Sequence, residues 1–208
     1  MTRLFLVRHG QTYWNVEQRM QGWKDSPLTD IGINQAKQLS ESLKNEIFNA
    51  IYTSSSGRAV QTAKILKNNR DIKIVKNDNL RELNFGNWDG HLFSELENKF
   101  PDKFKQLKEN PHLFESPLGE SFLIAQNRVL FAINRIILNH FGENILIISH
   151  AIVIKLIISY YKKQHIRDIW NTPPIEQTAL SIIEIDNRFV NIVRYGDTSH
   201  LSEDNATY

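Results

Sequence analysis

The sequence has 208 residues, of which 41% are hydrophobic and 23% charged, and it contains no cysteine. This length and composition suit one globular α/β domain, and the lack of cysteine excludes disulfides, thiolate metal sites and cysteine nucleophiles. The 25 basic residues are scattered among 23 acidic ones, so the net charge of +2 does not indicate nucleic-acid binding. The apolar runs at 4–7 and 152–161 are too short for a signal peptide and a membrane span, respectively. We therefore expect a cytoplasmic protein without membrane or nucleic-acid partners.

The first part of the chain alternates short apolar runs with amphipathic segments. Continuous apolar or β-branched runs predict strands, and apolar residues at helical spacing predict helices. Thr29 or Asp30 is the expected N-cap of the first helix. In order, the predicted elements are strand 4–7, helix 31 to about 45, strand 50–53, helix 58–68 and strand 72–75.

The second part of the chain opens with an irregular region and then returns to regular elements. Residues 178–185 and 189–194 are predicted strands of a hairpin joined through Asp186-Asn187, and the polar tail after Tyr195 is expected to be partly disordered. The elements predicted before this hairpin are loop 80–90, helix 92–104 interrupted at Pro101, loop 110–119, helix 120–140, strand 144–149 and helix 152–161.

This alternation predicts a three-layer α/β/α fold with a mostly parallel central sheet. The final hairpin is expected to place one antiparallel strand at an edge. Residues 1–208 are predicted to form a single domain, because no repeat or low-complexity tract divides them. Within it, residues at about 84–126 are expected to form a small lid of helices and loops.

Histidines and arginines follow several of the predicted strands. Arg8 and His9 come directly after the first strand, His150 follows strand 144–149, and Arg58 lies just beyond strand 50–53. Because ligands of open α/β sheets bind at the carboxyl ends of the strands, we expect these four side chains to converge.

These residue types can transfer a phosphoryl group. Guanidinium forks match phosphate oxygens, and an imidazole can attack phosphorus to form a phosphohistidine. A carboxylic acid that its loop keeps protonated can donate a proton to the leaving oxygen. Glu82 is the candidate for this role, although Asp89 and Glu120 also lie in loops that could approach the pocket.

Seven blocks of sequence, in order, resemble the histidine phosphatase superfamily, which is also called phosphoglycerate-mutase-like. Arg8-His9-Gly10 alone would be weak, but the ordered set covers most of the chain and is specific. The blocks are Leu6 to Thr12 with Trp14-Asn15, Gln21 to Trp23, Pro27 to Gly32, Tyr52 to Ala63, Leu80 to Gly90, Gly119 to Ser121, and Ile147 to His150.

The resemblance implies a role for each main site residue. His9 would be the nucleophile that becomes phosphorylated, and Arg8 and Arg58 would hold the phosphoryl group. His150 would donate to the same group and stabilise its charge in the transition state. Glu82 would act as the general acid and later as the base that activates water.

The resemblance also implies a phosphate or substrate site that includes Asn15, Gln21, Gly22 and Ala151. Ala151 stands where the family usually has glycine, a difference that bears on fine pocket shape. Leu118 replaces the first glycine of the usual Gly-Gly-Glu-Ser, a difference that bears on loop geometry. Neither a metal nor another cofactor is implied, since arginines and histidines supply the positive charge. The expected partner is a small-molecule phosphate ester, and a homodimer is left open.

Two alternatives to a phosphatase remain at this stage. Mutases of the family carry an arginine-rich insertion, whereas residues 90–117 contain no arginine, which favours phosphomonoester hydrolysis over a phosphoglycerate-type mutase. A non-catalytic phosphate-binding protein is the other alternative. The aromatic side chains could form a substrate wall or pack a lid, and both readings stay open for Trp14, Trp23, Phe85 and Trp88.

Overall fold

Six strands form one sheet in the computed structural model, which describes residues 1–186 and 188–202. The strand order across the sheet is β3-β2-β4-β1-β5-β6. The strands are β1 (Thr2–Arg8), β2 (Ala50–Ser54), β3 (Ile74–Asn77), β4 (Asn144–Ser149), β5 (Leu180–Ile185) and β6 (Val190–Asp197).

The sheet is parallel on one side and antiparallel on the other. Strands β3, β2, β4 and β1 are mutually parallel, while β5 pairs antiparallel with β1 and β6 pairs antiparallel with β5. The predicted mostly parallel α/β fold with an antiparallel edge is therefore confirmed, the edge being a pair of strands.

Helices cover both faces of this sheet. The central strands are apolar at consecutive positions, so each strand contributes to two cores: Leu4 and Leu6 pack on one face, and Phe5 and Val7 on the other. The second and third helices pack on the Phe5 face, and the sixth and seventh on the Leu4 face. The helices are α1 (Tyr13–Val16), α2 (Asp30–Ser42), α3 (Gly57–Lys67), α4 (Phe93–Lys99), α5 (Pro101–Glu109), α6 (Phe122–Asn139) and α7 (Ala151–Tyr161).

Several element boundaries differ from the predictions for local reasons. Thr29 caps α2, its hydroxyl accepting from the Gly32 N–H at 3.0 Å, and the helix ends at Ser42 rather than near 45. Strand β3 begins at Ile74, where it comes into register with β2, and not at 72. Strand β5 begins at Leu180 because Thr178 has a φ of +56°, which an extended strand does not accommodate.

The region between β3 and α6 departs most from the prediction. Short 3₁₀ turns at 78–80 and 86–88 lie in or beside the predicted loop 80–90, and a third occupies 111–113. The predicted helix 92–104 is two helices, because Pro101 ends α4 and begins α5, which continues to Glu109. Helix α1 and a 3₁₀ segment at 166–171 were not predicted.

The C-terminal elements are only partly open to comparison with the prediction. The hairpin was predicted to turn at Asp186-Asn187, but Asn187 lies outside the described residues. Strand β6 continues to Asp197, so the tail is ordered beyond Tyr195, and residues 203–208 lie outside the described part of the chain. Among the described helices, none combines the length and hydropathy that crossing a membrane requires.

Candidate active site

The predicted site residues meet at the carboxyl ends of three adjacent parallel strands, β2, β4 and β1. Arg8 at the end of β1 pairs in register with Ser149 at the end of β4, so His9 and His150 leave the sheet side by side. Their ring centroids are 5.2 Å apart and their planes are inclined at 64°. Arg58 reaches the same place from the first turn of α3, which follows β2.

The two ring nitrogens of His9 have different partners. Nδ1 lies 2.7 Å from the Gly10 carbonyl, to which it donates, while Nε2 accepts from the Arg58 Nε at 3.2 Å. These contacts fix the neutral tautomer with its lone pair on Nε2. Burial lowers the pKa of His9 well below its ordinary value, and the charges of Arg58 and Arg8 lower it further. At neutral pH the Nε2 lone pair is therefore free of a proton.

Arg58 is almost completely buried and is held by one loop. Its Nη1 donates to the Asp25 carboxylate at 2.8 Å and to the Lys24 carbonyl at 3.1 Å, and its Nη2 donates to the Gly22 carbonyl at 2.8 Å. Burial lowers its pKa from the usual high value, and Asp25 opposes that shift. The loop therefore fixes the guanidinium in the orientation that places Nε against His9.

Asp89 organises this same loop from the other side. Its carboxylate accepts from the backbone N–H groups of Gly22 at 2.7 Å, Trp23 at 2.8 Å and Lys24 at 3.0 Å. With those amides held, the carbonyls of residues 22 and 24 point to Arg58. Asp89 thus acts on the site through the loop and not through contact with the histidines.

Arg8 lies beside the same imidazole, near both a carboxylate and the second guanidinium. Its Nη1 donates to the Ile175 carbonyl at 2.7 Å, and its buried Nε has no hydrogen-bond partner among the described residues. Burial lowers its pKa, whereas the negative charges of Glu176 and Glu82 raise it. An anion placed here would meet an unused buried donor.

His150 is fully buried and stands at the N-cap of α7. Its Nε2 lies 2.8 Å from the Ser54 hydroxyl, and its Nδ1 has no partner in the described part of the chain. Burial lowers its pKa well below the ordinary value, followed by the charge of Arg58. Nδ1 is thus a second buried nitrogen without a partner, and it is a donor in the tautomer that carries its proton there.

The Glu82 carboxyl lies against the first turn of α7. One oxygen accepts from the Leu83 N–H at 2.9 Å and the other from the Ile152 N–H at 3.3 Å. Burial raises its pKa above the ordinary value, and the two backbone hydrogen bonds, then Arg58 and Arg8, act in the opposite direction. A carboxyl with a raised pKa next to two guanidinium groups can serve as a proton donor.

Arg128 on α6 holds the backbone that carries Glu82, and sequence reasoning missed it. It donates to the carbonyls of Asn79 at 2.9 Å, Arg81 at 2.7 Å and Glu82 at 2.8 Å. It also makes a bidentate pair with Glu120, at 2.5 and 2.9 Å. A single arginine on an amphipathic helix gives no sequence signal, so only the three-dimensional contacts reveal this clamp.

We expect Arg128→Ala to lower the free energy of unfolding by about 3–5 kcal/mol, because it leaves the buried Glu120 carboxylate unpaired. Urea unfolding followed by circular dichroism measures this change. Arg135→Ala is the matched control, since Arg135 is exposed on the same helix, and it should alter stability by less than about 0.5 kcal/mol. Equal effects of the two substitutions would contradict the clamp.

Asp89 and Glu120, the two alternatives to Glu82 as proton donor, both have carboxylates that make structural hydrogen bonds. Asp89 accepts three backbone N–H groups, as described above, and Glu120 accepts from Asn84 N–H at 2.8 Å in addition to Arg128. The Glu82 carboxyl lies within the field of both Arg58 and Arg8, and burial raises its pKa.

Asn15 and Gln21 are linked through one hydroxyl. Thr12 Oγ1 lies 3.0 Å from both the Asn15 Oδ1 and the Gln21 Oε1. The buried Gln21 Nε2 has no hydrogen-bond partner among the described residues. Gln21 therefore presents a third unused donor, and a phosphate or substrate contact by either side chain stays a prediction.

Gly22 and Ala151 occupy supporting positions. The Gly22 N–H donates to Asp89 and its carbonyl accepts from Arg58, so its backbone groups build the arginine loop. Ala151 is the first residue of α7, immediately after His150. Direct substrate contact by Gly22 or Ala151 also stays a prediction.

Two arginines place positive charge at the site. Within residues 1–186 and 188–202, no three or more histidine and carboxylate side chains are grouped as a metal site would require. Separately, the charges of Arg58 and Arg8 act on His9 and lower its pKa.

Known proteins resemble this chain over most of its length. Phosphoserine phosphatase 1 of Hydrogenobacter thermophilus is 29% identical over 203 residues, covering 98% of this chain and 96% of that protein. A probable phosphoglycerate mutase, GpmB, of Yersinia pestis is 33% identical over 159 residues, covering 76% of this chain and 74% of that protein. The solved structure of YhfR from Bacillus stearothermophilus is 40% identical and superposes with a TM-score of 0.93, covering 96% of this chain and 99% of that one.

A family model agrees with the site geometry and with these relatives. The model described as histidine phosphatase superfamily, branch 1, matches residues 4–198, a range that contains Arg8, His9, Arg58, Glu82 and His150. The chain therefore belongs to the histidine phosphatase superfamily.

Proposed function

We propose that this protein is a metal-independent phosphomonoesterase that hydrolyses a small phosphorylated metabolite through a covalent phosphohistidine at His9. The observation that carries this proposal is the hydrogen bond that His9 Nε2 accepts from the Arg58 Nε at 3.2 Å, on a ring whose pKa the Arg8 charge also lowers. Nearby buried nitrogens of Arg8, Gln21 and His150 have no partners among the described residues, and a bound phosphoryl group would satisfy them.

In the first step, His9 Nε2 attacks phosphorus, the N–P bond forms and the ester P–O bond breaks. Glu82 gives its proton to the leaving oxygen, so the alcohol departs neutral. The Arg58 Nε–H loses its acceptor when the Nε2 lone pair enters the N–P bond, and it then turns to a phosphoryl oxygen. Arg8 Nε and His150 Nδ1 supply further donors to the equatorial oxygens.

In the second step, water attacks the phosphohistidine, a new P–O bond forms and the N–P bond breaks. The Glu82 carboxylate takes the proton of that water and returns to its acid form. Orthophosphate leaves, and His9 Nε2 regains its lone pair and its hydrogen bond from Arg58. The cycle thus needs one side chain that alternates between acid and base, which a raised carboxyl pKa permits.

The nearly full-length likeness to a phosphoserine phosphatase supports hydrolysis of a small phosphate ester. We also propose that residues 84–126 cover the site, since their aromatic side chains pack into a core of their own against α6 and α7. The cysteine-free composition is compatible with the cytoplasm, where we place the enzyme.

A mutase is the second candidate, because GpmB-like relatives are named as probable phosphoglycerate mutases. A mutase must keep water from the phosphohistidine until another acceptor binds. Incubation with 3-phosphoglycerate distinguishes the two activities. We expect orthophosphate as the main product, and isomerisation that outpaces phosphate release would favour the mutase.

Trapping of the intermediate tests the proposal directly. Acid-labile, base-stable label should appear on the protein within the first turnover of a ³²P-labelled ester, and peptide mapping should place it on His9. Phosphate binding without turnover of any ester would instead favour a non-catalytic binding protein.

A further inference from the structure

A cavity of about 430 Å³ opens beside the candidate active site, and its wall is almost wholly apolar. We propose that this cavity binds the alcohol portion of the substrate, and that the preferred substrates are phosphate monoesters of apolar, aromatic-sized alcohols. The inference rests on the proposed phosphatase function. The side chains that carry it are Met20, Phe85, Phe93, Leu107, Ile152 and Trp170.

The position of the cavity links it to the leaving group. Ile152 lines the wall, and its N–H donates to the carboxyl of Glu82, the proposed proton donor to the leaving oxygen. Met20 precedes Gln21, and Phe85 follows Glu82 by three residues. The wall therefore begins where an alcohol released from phosphorus would emerge.

The few polar groups of the wall are already engaged. The Trp170 indole N–H donates to the Leu107 carbonyl at 2.8 Å. The Lys108 ammonium lies 3.1 Å from a Glu97 carboxylate and 4.5 Å from the centre of the Phe104 ring. A substrate carboxylate in this cavity would lose water without gaining a dedicated cation, which is unfavourable.

The volume suits a ring with a short linker. Small-molecule sites commonly enclose about 300–1,000 Å³ and are lined mainly by apolar and aromatic side chains. A phenyl ring would contact Phe85, Phe93 and Trp170, where aromatic pairs gain stability beyond simple burial. Specificity in the proposed enzyme would thus come from the lid residues and from α7.

A pair of esters with matched leaving groups tests the proposal. 4-Phenylbutyl phosphate and 5-phosphooxypentanoate are both primary alkyl esters, so their leaving oxygens have closely similar basicity. We expect kcat/KM to be at least about tenfold higher for the phenyl ester. Equal or better hydrolysis of the carboxylate ester would overturn the proposal.

Variants of the wall give a second measurement. Phe93 is 41% exposed and lies at the start of α4, so Phe93→Ala should fold normally. We expect it to lower kcat/KM for the phenyl ester roughly fivefold and to leave the carboxylate ester within about twofold. Phe131→Ala, at an exposed position of α6 outside the wall, is the matched control and should change neither value. An unchanged phenyl-ester rate in Phe93→Ala would count against the cavity as the alcohol site.

Lys108→Met tests whether the ammonium group of this wall residue recognises substrate. We expect the ratio of the two esters to stay within about twofold of the parent protein, whereas a selective loss of carboxylate-ester hydrolysis would overturn the inference. Hydrolysis of p-nitrophenyl phosphate is measured in parallel. If that ester is not hydrolysed either, the phosphatase function itself has failed, and if it is hydrolysed the ester ratio reports on the cavity alone.

Discussion

His9→Ala is expected to lower kcat/KM for p-nitrophenyl phosphate by about 10⁴-fold or more, because it removes the atom that forms the covalent intermediate. Neighbouring side chains offer no substitute. Nε2 of His150, whose ring packs beside that of His9, is already engaged with the Ser54 hydroxyl at 2.8 Å. The ³²P label of the trapping experiment should disappear together with the activity.

The fold should survive this substitution, which separates loss of chemistry from loss of structure. Among the described residues, the hydrogen bonds of the His9 side chain go to the Gly10 carbonyl and Arg58, and its ring packs beside that of His150, so we expect a stability loss of about 1–3 kcal/mol. His165→Asn is a suitable control, since His165 is exposed and its side chain caps a 3₁₀ turn, a role that asparagine can retain. Residual activity above about 1% in a folded His9→Ala protein would exclude phospho-His9 as the obligatory intermediate.

The placement of the histidines could be predicted because strand ends are visible in sequence. Apolar runs at 4–7 and 144–149 indicate buried strands, and parallel neighbours carry their next residues to one edge of the sheet. His9 and His150 follow those runs directly, so two local patterns were enough to bring them together. Placing Arg58 at the same edge also required the prediction of a helix that starts soon after β2.

The residues that orient the catalytic side chains could not be recognised from strand ends or from any other local sequence pattern. Asp25 and Arg128 act through contacts with chain segments 33 or more residues away, to Arg58 and to the Asn79–Glu82 backbone respectively. Asp89 holds a loop that lies 65–67 residues earlier in the chain. Such contacts depend on how loops fold over the sheet, and neither hydrophobic periodicity nor local motif reports that arrangement.

The aromatic side chains show the same limit, since the sequence left their roles open. Phe85 lines the apolar cavity, whereas Trp88 is buried and stacks on Phe100 with centroids 5.8 Å apart. Trp23 donates its indole N–H to the Glu82 carbonyl at 2.9 Å and lies under the Arg81 guanidinium. Phe85 thus lines a cavity, Trp88 packs against another aromatic ring and Trp23 binds the backbone of the proposed acid, distinctions that composition alone does not make.

Glu82→Gln is expected to lower kcat/KM by about 10²–10⁴-fold for an alkyl phosphate, because the amide cannot protonate the leaving oxygen. p-Nitrophenolate leaves readily without a proton, so its ester should lose only about tenfold or less on the same physical ground. The parameter kcat/KM reports steps through phosphorylation of His9, which isolates the acid role of Glu82 from its later role as base. Glu41→Gln, at an exposed site on α2, should change neither ester.

The pH dependence of the same variant supplies an independent test of the acid. Glu82 must be protonated for the first step, and burial raises its pKa, so kcat/KM for an alkyl phosphate should fall as pH rises through that elevated value. The pKa of His9 is lowered well below its ordinary value, so protonation of the nucleophile should reduce activity only at pH values below the usual imidazole range. In Glu82→Gln the decline of kcat/KM at alkaline pH should vanish, so that kcat/KM is low and independent of pH in that range. Equal losses for both esters, or an alkaline limb that persists in the variant, would assign proton donation to a different group.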